Sequence, residues 1–195
     1  MSTSQRERIE KLARGVPDPV ARARRVYLEE PSFCLGRNRD IEFAVKSIVA
    51  EGLKVPYRSV AIAGSAQLGF SPHKGTDFTR GVSDLDLAIL HPPLFQSLME
   101  LCISETKAFT DLQKFSTRGG QKSADELRDY IVTKGMIRVD LMPLCKRVQE
   151  IEAVLARASA ASGGAFSDVN LAAFLSEALF CRKQNSGLRL ILDRI

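Results

Sequence analysis

Residues 59–70, Ser-Val-Ala-Ile-Ala-Gly-Ser-Ala-Gln-Leu-Gly-Phe, and residues 83–90, Ser-Asp-Leu-Asp-Leu-Ala-Ile-Leu, decide how the chain is read. The first piece is a short β-branched and apolar run that stops at Gly64-Ser65, and the second is an apolar run that carries Asp84 and Asp86. Short apolar runs bounded by turn residues predict strands buried on both faces, here over 58–63 and 84–90. Side chains alternate along a strand, so Asp84 and Asp86 share one face with Ala88 while Leu85, Leu87 and Ile89 take the other. Two carboxylates near the start of an otherwise apolar strand repel each other and lose hydration together. A cation is expected between them. With oxygen ligands and no imidazole in the pattern, a hard divalent ion such as Mg²⁺ is the natural candidate.

The strand that ends at Gly64 offers a second element of a site. A glycine there lets the backbone approach a phosphate closely, and the Ser65 hydroxyl with neighbouring N–H groups can donate to its oxygens. A Gly-Ser pair after a strand is common, so it gains meaning only from Asp84 and Asp86. Further on, residues 130–133, Lys134-Gly135 and residues 136–142 read as a strand, a two-residue turn and a strand, with the short helix opened by Ser123-Ala-Asp-Glu126 before them. That hairpin puts Asp140 in mid-strand beside Arg138, on the face opposite Ile137, Val139 and Leu141. Strand interiors disfavour aspartate, so Asp140 asks for a reason: a surface salt bridge if alone, a third metal ligand beside the Asp84 and Asp86 pair.

Around these motifs the chain reads as helices. Residues 5–14 and 19–30 suit two short helices, the second capped by Asp18 with Pro19 in its first turn, and Arg22, Arg24 and Arg25 are either phosphate contacts or a solvated face balanced by glutamates. Ile41, Ala44, Val45, Ile48 and Val49 make one helix face, capped by Asn38 or Asp40 and closed at Gly52. Residues 94–109 give a crossover helix, and 116–122 a polar Gly-rich loop. After Pro143, Val148, Ile151, Val154 and Leu155 form another amphipathic stripe; Ser167 or Asp168 is expected to start a further helix with Leu171, Phe174 and Leu175 inward, and 188–195 to pack back on the core. Arg182 and Lys183, near a helix end, either reach phosphates or complement the helix dipole. The expected division is an N-terminal helical arm (1–37), a catalytic core (38–145) and a C-terminal helical segment on that core (146–195). The expected fold class is α/β, in the α+β sense: a small mixed sheet flanked by helices, with helices added at both ends.

Bulk properties narrow the function classes. A chain of 195 residues is long enough to bury a core in one domain. No apolar run is long enough to span a bilayer, and the charged start Met-Ser-Thr-Ser-Gln-Arg-Glu-Arg has no secretory h-region, so no membrane partner and a cytoplasmic location are expected. Cys34, Cys102, Cys145 and Cys181 are scattered without zinc-ligand spacing and read as reduced thiols. A net charge of +5 favours an anionic partner, a nucleotide or RNA.

Gly64-Ser65, then Asp84-Leu85-Asp86, then a later strand with Asp140, resembles the nucleotidyltransferase superfamily of DNA polymerase β, in particular its small bacterial members. The resemblance spans roughly 59–144. It implies a mixed sheet of the nucleotidyltransferase type, two Mg²⁺ ions held by Asp84, Asp86 and Asp140, and terminal phosphates of a nucleoside triphosphate such as ATP cradled by Gly64 and Ser65. The implied reaction is transfer of a nucleoside monophosphate to a hydroxyl on RNA, tRNA, a nucleotide, a small molecule or a protein, by two-metal in-line displacement. Residues 66–83 depart from the superfamily in length. That excursion contains Gly69-Phe-Ser-Pro-His-Lys-Gly-Thr76, and its Lys74 and Arg80 either flank the triphosphate or sit on an exposed loop. Two rival readings stand beside the enzyme: a catalytically silent, antitoxin-like partner of the same fold that binds a nucleotide or another protein, alone or in an oligomer, and an unrelated α/β protein in which the three aspartates lie apart.

Overall fold

The computed structural model describes residues 3–36, 38–118 and 121–193. The arm boundary at Arg37, the Gly119-Gly120 centre of the polar loop and the terminal Ile195 lie outside them. Helix α1 (Thr3–Arg14) is followed by α2 (Pro19–Arg24), where Asp18 Oδ1 accepts from the Ala21 N–H at 2.7 Å and proline occupies the first turn. The helix then widens into a π turn over Arg25–Glu29. Helix α3 (Arg39–Leu53) is capped by the Asn38 side chain and ends on Lys54 in the left-handed conformation, with φ of 56°. A 3₁₀ turn leads into strand β1 (Val60–Ala63), which passes directly into the short α4 (Gly64–Leu68).

Strand β2 (Leu85–Ile89) and helix α5 (Pro92–Glu105) come next. A two-stranded ribbon, β3 (Thr117–Arg118) with β4 (Gln121–Lys122), precedes α6 (Ser123–Lys134) and β5 (Met136–Arg138). The chain closes with α7 (Lys146–Ala161), β6 (Val169–Phe174) and α8 (Glu177–Leu192). The main sheet has the order β1-β2-β6-β5; β1 runs antiparallel to β2, β2 parallel to β6, and β6 antiparallel to β5. The fold is therefore a mixed α+β one, with eight α-helices and a four-stranded mixed sheet among the described residues. No described helix is long and apolar enough to cross a membrane, and the four cysteines carry free thiols.

Alternation along the strands builds two cores, one on each face of the sheet. Val60, Ile62, Leu85, Leu87, Ile89, Ile137 and Leu171 face α3, α5 and α7. Ala61, Ala63, Ala88, Met136 and Phe174 face the N-terminal arm and α8, where Tyr27, Phe180, Cys181 and Leu188 close the layer. Small residues from β1 and β2 on this second face leave depth for a cleft beside Asp86. The arm is a structural layer of the protein: Arg22 donates to the Val16 and Pro17 carbonyls and to Asn185, Arg24 pairs with Glu177, and Arg25 pairs with Glu30.

Two expected elements are replaced by their opposites. The strand expected over 130–133 is the last turn of α6, because the opening at Ser123 and the helical spacing of Ala124, Leu127 and Ile131 outweigh the β preference of Tyr130 to Thr133. Gly135, with φ of 59°, ends that helix and is no hairpin turn; a methyl group there would run into Leu179 Cδ1. The helix expected from Ser167 or Asp168 is strand β6, whose Val169, Leu171 and Ala173 alternate with Asn170 and Ala172. Residues 146–195 are consequently no purely helical addition, since they supply a central strand of the sheet. The stretch expected as a strand through Met142 leaves β-structure after Arg138, and Asp140 lies in a 3₁₀ turn over Val139–Leu141.

Gly52 is the penultimate residue of α3, within one residue of the expected end, and it also has a packing reason: a Cβ there would stand 2.5 Å from Val154 Cγ2 of α7. Valine is stiff about χ1 and cannot swing clear. Gly52→Ala is expected to lower stability by about 1–3 kcal/mol in urea unfolding, and a second change, Val154→Ala, to recover part of that loss by making room.

Candidate active site

The register of β1 on β2 sets Ala63 opposite Asp86, so the chain turns at Gly64 right beside that carboxylate. Gly64 has φ of 62°, and a methyl group on it would run into Asp86 Oδ2. Both facts require glycine, and together they join the Gly-Ser turn to the second aspartate in space. Asp84, just before β2, is fixed from the β6 side. Ser167 Oγ lies 2.6 Å from Asp84 Oδ1 and 2.8 Å from the Val82 carbonyl oxygen, while the Leu85 N–H donates to the Asp168 carbonyl at 2.8 Å. Asn170, opposite Asp86 on β6, offers its amide N–H to Asp86 Oδ1 at 3.5 Å.

Asp84, Asp86 and Asp140 open onto one chamber of about 310 Å³. Asp140 is nonetheless engaged: Arg138 grips it with a fork, Nε to Oδ1 at 3.1 Å and Nη2 to Oδ2 at 2.8 Å, while stacking over the Tyr130 ring. A second chamber of about 510 Å³ adjoins the first and is rich in hydroxyls, with Ser65, Ser71, Thr76 and Ser83 on its wall. Gly64, Lys74, Asp84, Asp86 and Lys183 line both. The wall that carries Lys74 is the excursion expected to set this chain apart, and it is a pinned hairpin. Ser71 N–H donates to Thr76 O and Phe78 N–H to Gly69 O, while Arg6 of α1 clamps the tip through Asp77 at 2.8 Å and lies over Phe70. Arg80 is not brought to the cleft; it borders a separate cavity with Phe33, Phe78 and Phe166.

The charges in the cleft oppose their own burial. Asp86 is held above the usual carboxylate range chiefly by loss of hydration, against which the Lys183 ammonium pulls it down and the Asn170 hydrogen bond helps. Burial pushes Lys183 below the usual lysine range, and the Asp86 charge offsets part of that. The Tyr27 phenol, from the π turn of the arm, lines the larger chamber and is raised by burial and then by Asp86.

Asp84, Asp86 and the Asn170 amide oxygen are hard ligands without imidazole or thiolate, which suits one ion of the Mg²⁺ type. Among the described residues, no group of three or more His, Cys, Asp or Glu side chains is gathered closely enough to hold a metal. A second ion on Asp140 would have to take that carboxylate from Arg138.

No protein-family model matches the chain, and no curated protein or solved structure is significantly similar to it.

Several residues of the cleft escape the sequence reading. Asn170 and Ser167 were hidden by the expected helix, although the alternation of Val169, Leu171 and Ala173 carries a strand signal. Arg138 was visible as the neighbour of Asp140. Tyr27 has no local signal, since a tyrosine in a charged arm reads as a helix face.

The Asp86–Lys183 pairing gives a signed expectation. The folded-state pKa of Asp86 lies above the unfolded value of about 3.9, so folding binds a proton there and stability falls as pH rises from the unfolded value through the folded one. Lys183→Met removes the main opposing charge. The Asp86 carboxyl should then titrate at higher pH than in the parent, read by carbon-13 NMR, and an unchanged titration would separate the two groups.

Proposed function

We propose that this chain is a Mg²⁺-dependent nucleotidyltransferase that moves a nucleoside monophosphate from a nucleoside triphosphate to a hydroxyl acceptor, working in the cytoplasm. One observation carries the reading: Gly64 is packed so closely on Asp86 that phosphate oxygens bound by the Gly64-Ser65 turn would abut the carboxylates of Asp84 and Asp86. The motif order Gly-Ser, Asp-Leu-Asp, which resembles the polymerase β superfamily, thus supports the same chemistry as the geometry.

The side chains divide the work by position. Ser65 donates its hydroxyl to a terminal phosphate, and Lys74 of the hairpin and Lys183 of α8 supply positive charge on either side of the polyphosphate. At five residues α4 is too short to add a useful helix dipole, so the phosphate site rests on N–H groups and these cations. Asp84 and Asp86 would hold the divalent ion, whose chemistry when bound is to neutralise the phosphates and lower the pKa of the acceptor hydroxyl. Asp140 keeps Arg138 aimed across the smaller chamber, where the guanidinium faces the charge that develops on the transferred group. The basic chain favours an RNA or tRNA acceptor over a neutral small molecule.

The grip of Arg138 on Asp140 is the one observation that favours a catalytically silent partner that binds nucleotide and turns nothing over. Incubation with α-labelled triphosphates, Mg²⁺, cellular RNA and extract separates the two. Label is expected on RNA, protein or a small molecule; EDTA should abolish it, and Asp84→Ala and Asp86→Ala should each reduce it by at least about 10³-fold. Asp140→Asn, which keeps one contact to Arg138, is expected to retain measurable transfer. No label above the Asp84→Ala control would hand the site to the silent reading.

A further inference from the structure

A larger cavity, of about 720 Å³, lies away from the aspartates, along the outer edge of β1 between the π turn and α3. Two buried polar atoms on its wall are left short of hydrogen bonds. Ser32 is 5% exposed, and among the described residues its Oγ has only the weakly bonding Cys34 thiol beside it. Glu42 Oε2, also shut off from solvent, has no hydrogen bond among the described residues, and the carboxylate is held only by two long ion pairs, to Arg39 Nη1 at 3.6 Å and from Oε1 to Lys46 Nζ at 3.8 Å. A buried acceptor that lacks a hydrogen bond is costly and asks for a ligand that donates.

The remaining walls describe that ligand. Strand β1 is an edge, paired with β2 alone. Because the Leu90 N–H donates to the Ser59 carbonyl, alternation turns Ala61 and Ala63 inward to β2 and the N–H and C=O of Ile62 outward to the cavity. The Tyr57 ring stands at the wall, 37% exposed, with Lys46 Nζ 5.1 Å from its centroid and Phe43 stacked obliquely outside it. Arg58 and Arg39 are exposed at the rim. An aromatic platform, a main-chain donor and acceptor, a buried carboxylate and a basic rim match a planar amino-bearing base with a phosphate attached. A bare cation would meet Arg39 and Lys46, and an apolar ligand would leave Glu42 Oε2 without a hydrogen bond.

We propose that this cavity binds an amino-bearing nucleobase, from a free nucleotide or from single-stranded RNA, stacked on Tyr57 with its amino group donating to Glu42 and Ser32 Oγ. The base edge meets Ile62, and its phosphate meets Arg39 and Arg58. The site is independent of Asp84 and Asp86 and stands whether or not the cleft catalyses transfer.

The test uses the full chain, nitrogen-15 labelled, in EDTA, titrated separately with AMP, CMP, GMP, UMP and a short single-stranded RNA. The amide signals of Ser32, Tyr57 and Ile62 should shift with AMP, CMP and GMP. UMP, which has no exocyclic amino group and can reach the carboxylate only with an N3–H flanked by two repelling carbonyls, should bind about tenfold or more weakly. Tyr57→Ala should weaken AMP by about tenfold, the scale of one lost stacking contact. Glu42→Gln, whose amide both donates and accepts, should erase the discrimination against UMP; unchanged spectra elsewhere verify that both variants fold. RNA that binds more tightly and also shifts Phe43 marks RNA as the source, and mononucleotide binding alone marks the free nucleotide. Shifts confined to Gly64, Ser65 and Lys74 overturn this inference and leave the cleft reading standing, as do affinities untouched by both variants. Silence with every probe overturns it too. Shifts at Tyr57 in a protein that transfers no label sink only the transferase reading.

Discussion

Asp86 carries a carboxyl where burial resists its charge, and much of the second face of the sheet is arranged around that conflict. The neighbours on its own strands are alanines, Ala61, Ala63 and Ala88, so no bulky side chain fills the space above the carboxylate. Gly64 gives up a side chain to let the turn approach. Among the described residues the largest compensation is the ammonium of Lys183, itself held in surroundings that disfavour its charge, with the Asn170 amide and Arg138 adding to it. Two groups that each lose hydration and steady one another make a site responsive to any ion or phosphate that enters, because a newcomer relieves the partner it replaces.

What could be read from the sequence follows from how local each signal is. The β1 and β2 runs, the faces of Asp84 and Asp86, the caps at Asp18 and Asn38 and the amphipathic stripe of α7 are set by neighbours within a turn or a pleat, and they were legible. The errors fall where local preference was overruled at a distance. Tyr130 to Thr133 prefer strand but continue a helix begun at Ser123, and Val169–Phe174 form a strand because a place between β2 and β5 awaits them. That second error hid half of the cleft, since Asn170 faces Asp86 only when 169–174 is extended. Arg80 shows the converse limit, for loop length and charge say nothing about which way a residue in an excursion turns.

The N-terminal arm changes meaning in the folded chain. Of the two roles open to its arginines, phosphate contact or balance by glutamates, the structure favours the second: Arg22, Arg24 and Arg25 are spent on carbonyls and glutamates that bind the arm to α8 and to itself. Exposed pairs of this sort contribute little singly, and the arm is held more by Ile9, Ala23, Val26 and Tyr27 in the core. Through Arg6 it reaches the hairpin that carries Lys74, and through Tyr27 it forms part of the cleft wall. The segment least like a catalytic element thereby shapes two sides of the cleft.

The place of β6 also dictates the order in which the chain can finish folding. Strand β2 ends at Ile89 and its parallel partner begins at Val169, so about 80 residues of chain separate the two. At ribosomal rates of about 5–20 residues per second, one edge of β2 waits roughly 4–16 s for its mate. Long-range parallel pairing is slow in any case. In that interval an apolar ribbon is open to the wrong neighbour, and a charge on such an edge is a common safeguard against sticking. Asp84 and Asp86, at the start of β2, put such charges beside that open edge until β6 arrives.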